Sequence, residues 1–294
     1  MAVRLGGPRQ RSVLALLLLN ASHVVPVGRM ADALWEGSPP PAAESTLRGY
    51  VSHLRKALAG APGNPLATRP SGYQLTVEPD AVDAVRFERL LAQGRRLNQD
   101  GDHGAAAQLL RTALDLWRGP ALADLAAEPW ARVHCARLEE LRQVAIEARV
   151  EADLALGRHE ELVGELGALV TEYPVRERLH ARRMLALYRS GRQADALSAY
   201  REAYEQLAGV RGLDPGSALR EMEAAILRQD PALEWTPPAR PAPATIPAEL
   251  PADVASFTGR THPLAELDSA LVGPAPTVLI SAIAGAAGVG NPNP

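Results

Sequence analysis

Apolar side chains crowd the stretch from Val13 to Leu19, and the pattern predicts a first helix over about Arg9 to Asn20, with Pro8 suited to its opening turn because that N–H would be unpaired anyway. A second run, Val27, Met30, Ala31, Leu34 and Trp35, recurs at helical spacing and is stopped by Gly37 and the prolines that follow Ser38, which cannot donate helix hydrogen bonds. A third and longer helix reaches about Leu58. Beyond the turn residues of APGNP, the segment LATRPSGYQLTV places Ser71-Gly72 between β-favouring flanks, which predicts a hairpin. Up to about Val77 the order is therefore helix, turn, helix, turn, helix, hairpin.

From Asp83 to about Leu233 the pattern turns wholly helical and rich in Ala, Leu, Arg and Glu. LALGRHEELVGEL and LYRSGRQADALSAY set Gly157-Arg158 and Gly191-Arg192 thirty-four residues apart, the tetratricopeptide period, with a weaker echo in DGDHGAAAQLL around Gly101. Stacked helix pairs of this kind bury faces that no single pair covers. Residues 236–252, TPPARPAPATIPAELPA, hold six prolines and few large apolar groups, the composition of a semi-extended linker. VASFTGRTHPLAELDSAL then suggests a turn and a helix, and TVLISAIAG a buried strand leading to GAAGVGNPNP.

The third helix carries the chemistry. Wound at 100° per residue, Leu47, Val51, Leu54 and Leu58 fall within about 60° of one another, with Tyr50 at their edge, so that side faces a core. The other side presents Ser45, Gly49, Ser52 and Lys56, flanked by His53 on one side and by Arg48 and Arg55 on the other. Long cations neutralise phosphates, Arg bridges guanine O6 and N7, and small Ser and Gly let a helix axis approach bases. A solvated charged face would look the same in isolation. Its setting argues for DNA, because three helices followed by a hairpin supply a major-groove helix and a wing, from which Arg69 reaches a phosphate or the minor groove. Tyr73 has two readings, a wing contact or a ring packed on the core with only its hydroxyl free. Arg9 and Arg11 read equally as phosphate contacts or as solvated arginines, and Trp35 as part of the core.

Charge sharpens this division. The 294 residues carry a formal −3, yet residues 1–77 hold eight Arg and Lys against Asp32, Glu36 and Glu44, a net of +5. A basic module for a polyanion is thus joined to an acidic remainder with another task. The lone Cys135 excludes a disulfide framework and Cys-rich zinc sites and fits a reducing cytoplasm. RQRSVLALLLLNAS has the charge and apolar run of a secretory signal, but Val13–Leu19 is at the short end for one and far below the ~20 residues of a membrane span.

The motifs from Pro8 through Val77, with Leu34-Trp35, TLRGYVSHLRKAL and TRPSGYQL, resemble the winged helix-turn-helix of OmpR-type response-regulator effector domains, in the form found in SARP-type antibiotic regulatory proteins. RFERLLAQGRRL, ALDLWRGPALADL, EPWARVHCARLEELR, ELVGELGALVTEYPVRERL and GLDPGSALREMEAAIL are similar to the bacterial transcriptional activation domain of that family. The resemblance spans about residues 5–233. It implies a mainly α fold: a winged helix-turn-helix over 1–80, three helices plus a β-hairpin wing, then an all-α tetratricopeptide-like domain over 83–233. A proline-rich linker over 234–252 and the start of a P-loop ATPase domain over 253–294 follow.

The resemblance makes the helix around Ser45, Arg48, Ser52, His53, Arg55 and Lys56 the recognition helix, and the hairpin around Arg69 and Tyr73 the wing. It also implies an N-terminal antiparallel sheet, of which Val3-Arg4-Leu5 alone remains, so either the apolar side of the first helix is expected to be exposed or the wing strands to lack a partner. At the far end Gly285 and Gly290 have the spacing of a G-x-x-x-x-G-K-S/T phosphate loop, but Asn291 and Pro292 stand where the lysine and hydroxyl belong. The tail therefore reads as a truncated ATPase start that binds no nucleotide, and neither cofactor nor metal is expected. No H-E-x-x-H or G-x-S-x-G pattern is present, which argues against catalysis. The expected function is a cytoplasmic DNA-binding activator of antibiotic-biosynthesis genes. It would bind promoter direct repeats in double-stranded DNA, self-associate there, and recruit RNA polymerase. The competing expectation is a tetratricopeptide-like interaction scaffold with a vestigial DNA-binding unit.

Overall fold

The computed structural model describes residues 5–60, 65–212 and 214–237. Val3-Arg4, the first residues of the APGNP turn, most of the proline-rich stretch and the glycine loop lie outside the described residues. The first part of the chain contains α1 (Pro8–Leu19), β1 (Val24–Pro26), α2 (Val27–Leu34), α3 (Ala43–Ala57), β2 (Leu66–Arg69) and β3 (Gly72–Leu75). The remainder is α4 (Asp83–Gln99), α5 (His103–Leu114), α6 (Pro129–Ala155), α7 (His159–Glu172), α8 (Glu177–Arg189), α9 (Gln193–Arg211) and α10 (Ser217–Leu227). Among the described residues the chain is mainly helical with one small sheet, as the sequence leads one to expect.

The three helices and the wing close around a single core. Val13, Leu14 and Leu17 of α1 meet Met30 and Leu34 of α2, Leu47, Val51 and Leu54 of α3, and Leu66, Tyr73 and Leu75 of the hairpin. One element escaped the sequence reading. Val24–Pro26 forms β1, antiparallel to β3, so the sheet runs β1-β3-β2 with Val25 opposite Tyr73. The expectation that the wing loses its partner is thereby corrected, because β3 is paired on both sides. Gly72 makes that pairing possible, since a Cβ there would stand 2.0 Å from the Val25 carbonyl oxygen.

The outer side of α1 faces the helical part of the chain. Leu14, Ala15, Leu18 and Leu19 line, with Phe87, Trp117, Leu122 and Leu125, an apolar cleft of about 700 Å³ shared with the helical part of the chain. An ion pair at its rim, Arg11 Nη1 to Asp124 Oδ2 at 2.7 Å, joins the two parts.

Three glycines shape the helical array in the same way. Gly101, Gly157 and Gly191 take φ of +84°, +83° and +73° between α4 and α5, α6 and α7, and α8 and α9. In each case the next residue's N–H reaches back five residues, Asp102 to Leu97, Arg158 to Asp153 and Arg192 to Leu187, at 2.9, 3.0 and 2.9 Å. This is the Schellman ending, which needs a left-handed residue that glycine adopts without strain. The short turns then fold each helix back on its predecessor. The echo around Gly101 is a full structural counterpart of the two clear repeats.

Successive clusters of leucine and alanine fill the pairs: Phe87, Leu90, Leu91 and Leu110 between α4, α5 and α6, then Leu154, Leu166 and Leu179, then Met184, Ala196, Leu207 and Leu219. Gly94 lets α5 approach α4, because a Cβ there would meet the Leu110 side chain at 2.6 Å. A buried carboxylate ties α5, α6 and the turn into α7 together. Asp153, whose side chain is 2% exposed, receives Arg149 at 3.0 Å, Arg111 at 2.5 Å and Arg158 at 2.7 Å.

Leu47 is fully buried in the first core, so Leu47→Ala should cost about 2–5 kcal/mol of winged-helix stability. Urea unfolding followed by tryptophan fluorescence measures this, and a loss below about 1 kcal/mol would contradict the packing described.

Candidate nucleic-acid interface

α3 is anchored by one side only. Ala43, Leu47, Val51 and Leu54 are buried, while Ser45, Arg48, Gly49, Ser52, His53 and Lys56 are exposed. Glu44 in the first turn and Arg55 and Lys56 in the last match the partial charges of the helix ends. No side chain caps its N-terminus. Ser45 and Thr46 hydroxyls instead donate back to the Ala42 carbonyl at 2.9 and 3.0 Å. A Cβ at Gly49 would meet nothing within 4 Å, so packing inside the chain does not account for a glycine that costs about 1 kcal/mol in mid-helix.

The expected site residues separate into three groups. Arg48, Ser52, His53 and Lys56 project from the exposed side of α3 and carry no ion pair among the described residues; the only hydrogen bond in the group is a long one of 3.4 Å from Arg48 Nε to the Glu44 carbonyl. Arg55 and Arg69 are partly committed within the protein. Arg55 Nε donates to the Leu66 carbonyl at 3.0 Å and its Nη2 to Thr68 Oγ1 at 2.7 Å, fixing β2 against the last turn of α3. Arg69 is exposed at the wing and donates to Gln74 Oε1 at 2.7 Å, while Gln74 donates to the Ser22 carbonyl.

Of the two readings open for Tyr73, the structure has the packed one: it is only 6% exposed and its ring belongs to the core, with Val25 opposite. Arg11 is likewise occupied by Asp124, and Arg9 lies over the Trp35 ring at 5.5 Å, with Trp35 packed against the core.

The arrangement offers a rigid helix with small residues and free cations along one flank, braced beside a wing that carries another cation. The long Arg55 links residues 11 to 13 positions apart, and no local sequence signal announces it. β1 was also missed. Its Val24-Val25 pair was the available hint, obscured because Pro26 and Val27 start a helix at once.

Comparison with known proteins places this geometry in a family. The family described as "Transcriptional regulatory protein, C terminal" matches residues 3–75, and "Bacterial transcriptional activator domain" matches residues 82–227. The chain is 40% identical over 246 residues to the regulatory protein DnrI of Streptomyces peucetius, covering 81% of this chain and 90% of that one. It is 41% identical over 289 residues to the regulatory protein AfsR of Streptomyces griseus, covering 97% of this chain but 29% of AfsR. Among solved structures, Mycobacterium tuberculosis EmbR in complex with a low affinity phosphopeptide superposes with a TM-score of 0.76 at 40% identity, over 78% of this chain and 61% of that one. The chain belongs to the SARP-type family of transcriptional regulators, which join an OmpR-type winged helix to a bacterial transcriptional activator domain. It spans less than a third of the length of the AfsR proteins it matches.

Arg55→Ala should release β2 without unfolding α3. Amide exchange at Ala67 and Arg69 should quicken about fivefold, the equivalent of about 1 kcal/mol, with the amides of α1 unchanged. Equal acceleration in both places would assign Arg55 to global stability alone.

Proposed function

We propose that this protein is a sequence-specific activator that reads double-stranded DNA with α3. The observation that carries this reading is the exposed row of Ser45, Arg48, Gly49, Ser52, His53 and Lys56, without an ion pair among the described residues, on a helix whose opposite side is locked in the core. Arg48 and His53 border the small residues and are suited to base edges, while Lys56, at the end of the helix, is suited to a phosphate. Arg69 on the wing adds a contact in the adjacent groove or on its backbone. Arg55 braces the wing and contributes to binding through that geometry.

The named relatives DnrI and AfsR are regulatory proteins, and RedD of Streptomyces coelicolor is a transcriptional regulator, 38% identical over 242 residues. This supports control of antibiotic-biosynthesis genes. In the same reading two copies sit head to tail on promoter direct repeats and contact RNA polymerase, with the helical array forming the surface between them. Such a contact is heterologous and needs no symmetric dimer in free solution. A cytoplasmic site of action fits, and no described helix is long and apolar enough to cross a membrane.

A gel-shift titration on selected promoter duplexes and on random duplexes tests the proposal. With roughly four phosphates neutralised, affinity should fall about a hundredfold between about 50 mM and about 200 mM salt. Arg48→Ala should relax the preference for the selected site, and Lys56→Ala should weaken both duplexes alike. Binding that ignores salt and sequence would leave the chain an interaction scaffold.

A further inference from the structure

The end of the described chain does more than trail from α10. After Gln229, whose φ is +51°, the chain turns back, and Leu233 sinks to 9% exposure in the core of α8, α9 and α10. Arg189 of α8 donates from Nε to the Leu233 carbonyl at 2.6 Å and from Nη1 to the Leu154 carbonyl at 3.3 Å. Trp235 then reaches the far side. Its indole N–H donates to the Ala155 carbonyl at 2.8 Å, so these two residues supply donors to carbonyls at the C-terminal end of α6. The ring covers Gly157, where a Cβ would approach it to 2.6 Å. Residues 231–235 thus strap the ends of α6 and α8 and the start of α7.

Beneath the strap lies a polar group without a partner. His159 is 8% exposed, its ring set edge-to-face against Trp235 at 5.6 Å, and neither buried ring nitrogen has a hydrogen-bond partner among the described residues. Burying such groups unpaired is costly, and the closed strap carries a cost that an open one relieves. His159 also lines, with Tyr188, Arg189, Gln193, Glu234 and Trp235, a cleft of about 480 Å³.

We propose that residues 231–235 form a releasable latch, closed while His159 is neutral and opened when His159 takes up a proton, which frees Trp235 from the end of the helical array. The protonated ring would be a cation with no acceptor, facing the Arg189 guanidinium. Glu160 on the same helix acts in the opposite sense, Tyr188 and Glu234 share the cleft, and Arg158 is turned away to Asp153 at 2.7 Å. Burial, then Arg189, holds the His159 pKa below the ordinary histidine value of 6.5. A base whose folded pKa is depressed stabilises the closed state fully above its unfolded value, and that contribution is lost as pH falls below about 6.5.

The test labels the full chain with 5-fluorotryptophan and follows the four fluorine resonances, that of Trp235 being the one missing from Trp235→Phe. Between about pH 7.5 and about pH 5.5 the exposed population of Trp235 should rise about tenfold while Trp35 and Trp117 keep their native shifts. His159→Gln should abolish the dependence. Gly157→Ala, which forces a methyl into the ring, should expose Trp235 at every pH and serves where the histidine variant does not fold. A Trp235 resonance that does not move, that moves equally in His159→Gln, or that moves only together with the other three overturns the latch.

Discussion

Burial of Leu47, Val51 and Leu54 along one side of α3 constrains everything around it. Their shared side fixes the rotation of the helix about its axis, and that rotation decides which residues face outward. Shifting the helix by one residue, a turn of about 100°, would carry leucines into water and Arg48 and Arg55 into the core. The cost of exposing even one large apolar side chain, about 1.5–3 kcal/mol, exceeds what a surface ion pair returns. The cationic flank is therefore held in place by hydrocarbon.

The wing depends on the same constraint. β2 is fastened to α3 by Arg55, β3 is flanked by β1 and β2, and Tyr73 fills the space between sheet and helices. A cation that could have met DNA is spent inside the molecule to set the distance between helix and wing. The helical array follows a different rule. Three left-handed glycines return the chain on itself, and a buried aspartate with three arginines locks the middle helices, so its stability is distributed over neighbouring pairs. The two parts touch through Arg11 and Asp124 and through the apolar cleft beside α1.

Much of this was legible from sequence because it is local. Helices α1 to α3 announce themselves by spacing and by the prolines that end them, and the Gly-Arg pairs mark the repeat turns. What was not legible depends on partners far along the chain. β1 is three residues long and is a strand only because β3 lies beside it, some fifty residues later. The Arg11–Asp124 pair spans 113 positions, and from sequence Arg11 is as good a phosphate contact as any arginine at a helix start. Tyr73 stood between two readings until the register set it opposite Val25. The row Ser45, Arg48, Ser52, His53 and Lys56 was legible because helical periodicity alone separates it from the leucines.

The central claim is that this row is the surface laid against DNA. A photoreactive benzophenone amino acid in place of Ser52 tests it, with the same group in place of the exposed Tyr204 on α9 as reference. Irradiation with a bound promoter duplex should give a protein–DNA adduct from position 52 and none from position 204. Adducts from position 204 with none from position 52, on DNA that the chain demonstrably retains, would contradict the account.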